Sequence, residues 1–275
     1  MTVTVSELLA RYVSELWKPG RHRESSIGYV NDIGRIFPAR FSAITEEDFS
    51  VIVEKLHLQG NSDATINRKM VALTKLLRKA QKDNLIPNVP VYRRIKEADD
   101  SLRYLSLTEE RHIVTGLIDH DPIYGQFASF LVDTGMKPGE AIAIRWESVI
   151  AGRLHIPETS MGAGRTIPLT KRAHQTILAM EHEARGPFFR VDQHRFRLAW
   201  NAVKDELGWQ GEAAIVPQVL RHTCASRLVM SGLNLHIVQR WLGIRNYKAM
   251  LRYEQLAKSD NFDLCTDALE AYRKS

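Results

Sequence analysis

The sequence predicts a mainly α-helical chain interrupted once by a small β-hairpin. Three observations predict it. Apolar residues recur at helical spacing through most of 1–95 and again from 107 onward. Only between 148 and 170 does the pattern change, to two short strand-like runs around a glycine-rich turn. Pro87, Pro90 and the polar run Lys96-Glu97-Ala98-Asp99-Asp100-Ser101 break the periodicity. The expected organisation is a helical domain over 1–95, a linker over 96–104 and a mixed α+β domain over 105–275.

In the first domain, Val5, Leu8, Leu9, Tyr12, Val13 and Leu16 define a helix over 5–17. A polar stretch, 18–26, separates it from a second helix over 27–37. Thr45 followed by Asp48 reads as a cap that starts a third helix, running to about Leu58 and ending near Gly60. The clearest helix spans 64–84, where Ile66, Met70, Leu73, Leu77 and Ala80 share one face. At about 100° per residue, Arg68, Lys75, Lys79 and Lys82 fall on the other.

In the second domain, Leu107-Thr108-Glu109-Glu110 starts a helix. The segments 122–134, apolar enough to be buried, and 138–146, with Pro138 suited to a first turn, give two more. Arg153–Pro157 and Arg165–Leu169 are the two strands, with Gly162 and Gly164 in the turn between them. Helices are expected over 171–183, 192–207, 217–230 (closed by Gly232), 235–242 (ended by Gly243), 248–257 and 262–272.

Composition bounds the function. The 275 residues are 44% apolar and 25% charged, a balance that suits a globular protein. No run approaches the roughly 18 apolar residues of a membrane span. The first residues lack the basic and apolar regions of a signal peptide, and Cys224 and Cys265 are too few for a disulfide scaffold, so the cytoplasm is the expected compartment. Net charge is +6. The stretch 63–95 holds eight Lys/Arg against Asp63 and Asp83, and so carries as much charge as the whole chain. A solvated helix face is one reading of it. A phosphate-facing stripe is the other, with Arg68, Lys69, Lys75, Lys79 and Lys82 as candidate DNA contacts.

The segment Gln218-Val219-Leu220-Arg221-His222-Thr223, followed by Leu242-Gly243-Ile244 and Arg252-Tyr253, resembles the C-terminal signature of the tyrosine recombinases, the family of phage integrases and Xer-type enzymes. Asp133-Thr134-Gly135-Met136-Lys137-Pro138-Gly139-Glu140 resembles the family's first catalytic box, and 62–86 its last core-binding helix. The resemblance covers nearly all of the chain. It implies a helical core-binding domain and a mixed catalytic domain that together close around duplex DNA, without the extra N-terminal arm-binding domain of some phage integrases. It implies strand cleavage by Tyr253, with Tyr247 as a runner-up that fits the spacing worse, Arg221 clamping the scissile phosphate and His222 supporting that site. A tyrosine hydroxyl attacks phosphorus to give a phosphotyrosyl link, arginines fork onto the phosphate oxygens, and no metal or cofactor is required.

Four positions depart from the family pattern. Lys137 stands at the first arginine and keeps charge without the planar fork. Ser160 is the best match to the hairpin lysine, since no lysine lies between Pro138 and Thr170. Gln218 replaces a histidine or lysine and carries no proton at neutral pH. Ile244 replaces a histidine or tryptophan. Arg165 and Lys171 are the cations nearest in sequence to the missing acid, and Arg165 is also a candidate DNA contact. Two readings follow: an integrase or recombinase that breaks and rejoins DNA, or a DNA-binding member with weak or lost cleavage that serves as regulator or partner of an active one. Either implies a dimer to tetramer on DNA, as a homo-oligomer or with another recombinase. Phe262, Leu264, Ala268, Leu269 and Tyr272 offer a tail that docks on a neighbouring subunit or on its own domain.

Overall fold

The computed structural model describes residues 2–97, 102–159, 162–180 and 184–257. The chain divides into two compact units, Met1–Asp99 and Asp100–Ser275.

The described part of the first unit is built from α1 (Val5–Leu16), α2 (Arg21–Ile36), α3 (Glu46–Leu58) and α4 (Asp63–Lys82). Reciprocal caps start two of them. Thr4 and Glu7 exchange backbone-to-side-chain hydrogen bonds at the head of α1, and Thr45 and Asp48 do so at the head of α3, as the sequence pattern predicts. Helix α4 packs against the other three. Its Ile66, Met70, Leu73 and Leu77 are fully buried, each contributing about 1.5–3 kcal/mol by transfer from water. Helix α2 begins at Arg21 rather than Ile27. The polar stretch before Ile27 forms its first turns, because Ser26, Val30 and Ile33 make one buried face and the remaining residues there stay in water.

The second unit opens with α5 (Leu107–His120) and α6 (Pro122–Thr134), which pack together, followed by the short α7 (Pro138–Ile142). The predicted helix over 138–146 is therefore cut short. Its last residues instead lead into a 3-10 turn, Trp146–Ser148. Strands β1 (Val149–Ile150), β2 (Arg153–Ile156) and β3 (Arg165–Pro168) form an antiparallel sheet in that order, with Leu154 opposite Ile167. Leu154, Ile156 and Ile167 face the core. The hairpin is as expected, but β1 is an addition, since two residues carry no readable alternation.

Helices α8 (Lys171–Leu178), α9 (Gln193–Glu206), α10 (Gln218–Met230) and α11 (Leu235–Leu242) follow. The chain from Tyr247 to Leu256 is 3-10 rather than α-helical. The end of the helix expected over 171–183, and the tail at 262–272, lie outside the described residues. Two apolar clusters organise the described part of this unit. The larger centres on Phe127, Phe130, Phe188, Phe196 and Trp200. The smaller joins α10, α11 and the 3-10 segment through Ala225, Val229, Val238, Leu242, Met250 and Tyr253. No described helix is long and apolar enough to cross a membrane.

Candidate active site

Helix α10 is the platform. Pro217 precedes its first turn, and its buried residues lie on every side: Val219, Leu220, Arg221, Thr223, Cys224, Ala225, Ser226 and Val229. A helix buried all round places most of its polar groups against partners. Thr223 Oγ1 accepts the Leu105 N–H at 2.9 Å and donates to the Val219 carbonyl at 2.8 Å.

Arg221, 5% exposed, donates through Nη1 to the Gly135 carbonyl at 2.6 Å and through Nη2 to the Leu242 carbonyl at 2.7 Å. Both acceptors sit at helix C-termini, those of α6 and α11, where carbonyls lack intrahelical partners and carry partial negative charge. The guanidinium is thereby compensated by two helix ends. Gly135 must be glycine here. Its φ is +63°, and a Cβ would stand 2.6 Å from Leu242 Cδ2.

A second set of charges gathers around one carboxylate. Glu140, in α7, accepts the Lys137 backbone N–H at 3.1 Å and Arg165 Nη2 at 2.9 Å through the same oxygen. The Arg165 and Glu140 side chains are 5% and 10% exposed. Burial works against the Glu140 charge, but the Arg165 hydrogen bond and charge outweigh it and hold its pKa below the usual carboxylate value. Burial lowers the Lys137 pKa, as do the Arg221 and Arg165 charges, partly opposed by Glu140. Lys137, Arg165 and Arg221 thus form one electrostatic cluster around Glu140, the carboxylate that acts on all three among the described residues. Arg165 Nε and Nη1 are buried without a hydrogen-bond partner. The hairpin turn is fixed beside them, since the Ala163 N–H donates to the Gly243 carbonyl at 3.0 Å.

Tyr253 lies in the smaller apolar cluster and is 2% exposed. Its hydroxyl is 2.6 Å from His222 Nδ1. Burial pushes its pKa up to about 12, against the lowering influence of Arg252 and Arg221. In this arrangement it is a neutral phenol hydrogen-bonded to an imidazole.

The structure thus gathers Lys137, Arg165, Arg221, His222 and Tyr253. Gln218 is exposed at the first residue of α10, one turn before Arg221. Ile244 packs against the smaller cluster just past α11. Lys171 is exposed at the start of α8. Ser160 lies outside the described residues. Glu140 went unread in the sequence. The spacing from Lys137 to Glu140 is that of a capping box without the usual Ser or Thr, which is the signal that marks it.

The candidate DNA contacts of α4 separate into two groups. Lys69, with its side chain 6% exposed, pairs with Asp32 at 2.9 Å. Lys79 pairs with Glu15 at 2.8 Å and Asp83 at 3.1 Å, and lies 5.5 Å from the Tyr12 ring centroid. These two hold the helices of the unit together. Lys75 is exposed but tethered to the Leu16 carbonyl at 2.7 Å. Arg68 and Lys82 are exposed, and so is Arg78, which completes a row at helical spacing with Arg68, Lys75 and Lys82.

Residues 119–260 match the sequence profile of the phage integrase family. The shufflon-specific DNA recombinase of Escherichia coli is 28% identical over 171 residues, which cover 61% of this chain and 44% of that protein. The tyrosine recombinase XerD of Neisseria meningitidis serogroup A is 24% identical over 276 residues, covering 91% of this chain and 94% of that protein. Among solved structures, a lambda integrase dimer bound to a COC′ core site superposes with a TM-score of 0.78 at 17% identity, covering 92% of this chain and 77% of that one.

Proposed function

Since the chain belongs to the phage integrase family, we propose that it is a site-specific DNA recombinase that breaks and rejoins strands through a phosphotyrosine link at Tyr253. The observation that carries this reading is the cation cluster of Lys137, Arg165 and Arg221 around the carboxylate of Glu140. Two N–H groups of Arg165 there are buried and lack an acceptor. Buried donors left without partners cost on the order of 1–3 kcal/mol each. A phosphodiester supplies the oxygens and the negative charge that such a cluster favours. In this reading Lys137, Arg165 and Arg221 bind the scissile phosphate, and the negative charge that grows on its oxygens during displacement is stabilised there.

Duplex DNA is the proposed partner. In the first unit, the exposed row Arg68, Lys75, Arg78 and Lys82 supports backbone contact. The similar lambda integrase was solved as a dimer on its core site, and we propose assembly of this chain on DNA as a dimer to tetramer, alone or with another recombinase. The cytoplasm is the compartment proposed for such a reaction.

The test is a nicked duplex whose short cleaved end diffuses away and traps the covalent adduct. The duplex is first selected from a random-sequence pool by binding to the chain. The unaltered protein should form an adduct on it, and Tyr253→Phe should form none. A protein that binds its selected duplex and never forms the adduct is a DNA-binding regulator or partner instead, the reading favoured by the exposed Gln218 and the apolar Ile244.

A further inference from the structure

We propose that His222 is the general base that takes the Tyr253 proton during strand cleavage, an inference that rests on the recombinase reading. The geometry is direct, with His222 Nδ1 2.6 Å from the Tyr253 hydroxyl oxygen, within the range for proton transfer. The two rings are held by different elements, α10 and the 3-10 segment Tyr247–Leu256, which share one apolar cluster.

Elimination among the described neighbours leads to the same residue. The groups that act electrostatically on Tyr253 are Arg252, Arg221 and Cys224. Both arginines are cations with no acceptor site. The Cys224 thiol is buried, and burial pushes its pKa up to about 12, so it stays protonated. Gln218 accepts hydrogen bonds but not protons. His222 is the described side chain that both touches the hydroxyl and can be basic at neutral pH.

A buried phenol also needs such a group. Burial pushes Tyr253 up to about 12, so at neutral pH the phenolate fraction is on the order of 10⁻⁵, and proton removal must accompany attack. In the step, the Tyr253 O–H bond breaks and its proton moves to His222 Nδ1, which requires the tautomer with hydrogen on Nε2. The phenolate oxygen forms a bond to phosphorus. The bond from phosphorus to the leaving sugar oxygen breaks, and that oxygen takes a proton from water. Strand joining runs the same transfer backwards, with the imidazolium returning its proton to the tyrosine.

The experiment compares two nicked duplexes from the selected site, one ordinary and one with sulfur in place of the leaving sugar oxygen. Sulfur leaves as a thiolate and needs no acid, so it separates loss of a base from loss of an acid. His222→Asn keeps a hydrogen-bonding atom near the Nδ1 position without its basicity, and His222→Ala removes both. Each is expected to slow adduct formation about 10²–10⁴-fold on both duplexes, while DNA binding stays intact. Replacing Tyr253 by difluorotyrosine, a more acidic phenol, should restore most of the rate to His222→Asn. A defect that vanishes on the sulfur duplex would assign His222 to the leaving group and overturn the proposal. An unchanged rate in both variants would overturn it too.

A second readout needs no DNA. The fluorine resonance of difluorotyrosine at that position should shift as pH is varied through the histidine range in the unaltered background, and not in His222→Asn. A resonance equally responsive in both backgrounds removes the pair. If the unaltered chain forms no adduct on either duplex, the recombinase reading itself fails and the base falls with it. If adducts form and His222 is indifferent, only the base falls.

Discussion

Arg165 and Glu140 form an ion pair at 2.9 Å, their side chains 5% and 10% exposed, and the same Glu140 oxygen holds the Lys137 backbone. One carboxylate therefore fixes the first turn of α7 and the β3 arginine together.

Removing that carboxylate should be costly. Glu140→Ala leaves Arg165 buried without its counter-charge, for which about 3–5 kcal/mol of lost stability is expected. Pairing Glu140→Leu with Arg165→Met should cost less than either single change, because neither charge is then stranded. Urea denaturation of the unaltered chain, Glu140→Leu, Arg165→Met and the double variant measures this. A double variant no more stable than the better single one would contradict the account.

Exposed and paired cations of α4 should behave differently toward DNA. Neutralising Arg68 and Arg78 together should lower the slope of log affinity against log salt by about 2, near 0.9 per phosphate contact. Lys69→Met and Lys79→Met should leave the slope unchanged and lower stability instead, since those lysines pair with Asp32, Glu15 and Asp83. Binding titrations at several salt concentrations separate the two groups. Equal slope changes for both pairs would mean that the internal ion pairs open on DNA.

Tyr253→Phe removes one hydrogen bond from a well-packed ring. The fold should lose about 1 kcal/mol, while adduct formation disappears. Thermal melting and the trapped-adduct assay read the two effects separately.

Lys137→Arg should increase cleavage. A planar fork in the cluster of Arg165 and Arg221 adds an oriented, charge-assisted hydrogen bond to the phosphate, worth roughly 1.4 kcal/mol or about tenfold in rate. Single-turnover kinetics on the selected duplex measure it, and a slower variant would show that the pocket is fitted to the lysine.

Acid should weaken the second unit through Glu109. Hydrogen bonds from Arg103, and from the Ser106 backbone, hold its pKa down from 4.5 to about 2. The folded value lies below the unfolded one, so the stabilisation is fully present above pH 4.5 and is lost as pH falls through about 2. Glu109→Gln should remove this part of the acid dependence, read by denaturation at a series of pH values.

Much of this was legible in the sequence because it is local. Thr45 with Asp48 announces a helix start, and Leu154 and Ile167 announce facing strands, through side chains close to one another along the chain. What stayed hidden depends on distant neighbours. A helical wheel puts Lys79 on the polar face but cannot show Glu15 arriving from another helix, and it gives no sign that Asp32 waits for Lys69. Likewise the spacing of Arg221, His222 and Tyr253 marks three residues, yet the bond between His222 and Tyr253 comes from a turn that brings the 3-10 segment back onto α10. The start of α2 was masked for another reason. Its first turns face water and bury little more than Ser26.

The two carbonyl bonds of Arg221 bear on how such a chain changes over evolutionary time. Arg221 fastens the ends of α6 and α11, and Tyr253 fills a core, so selection for folding alone opposes their replacement. Gln218, exposed at a helix start, is under no such constraint. A lineage relaxing its hold on cleavage would therefore drift first at that exposed position, while the arginine and the tyrosine persisted as architecture.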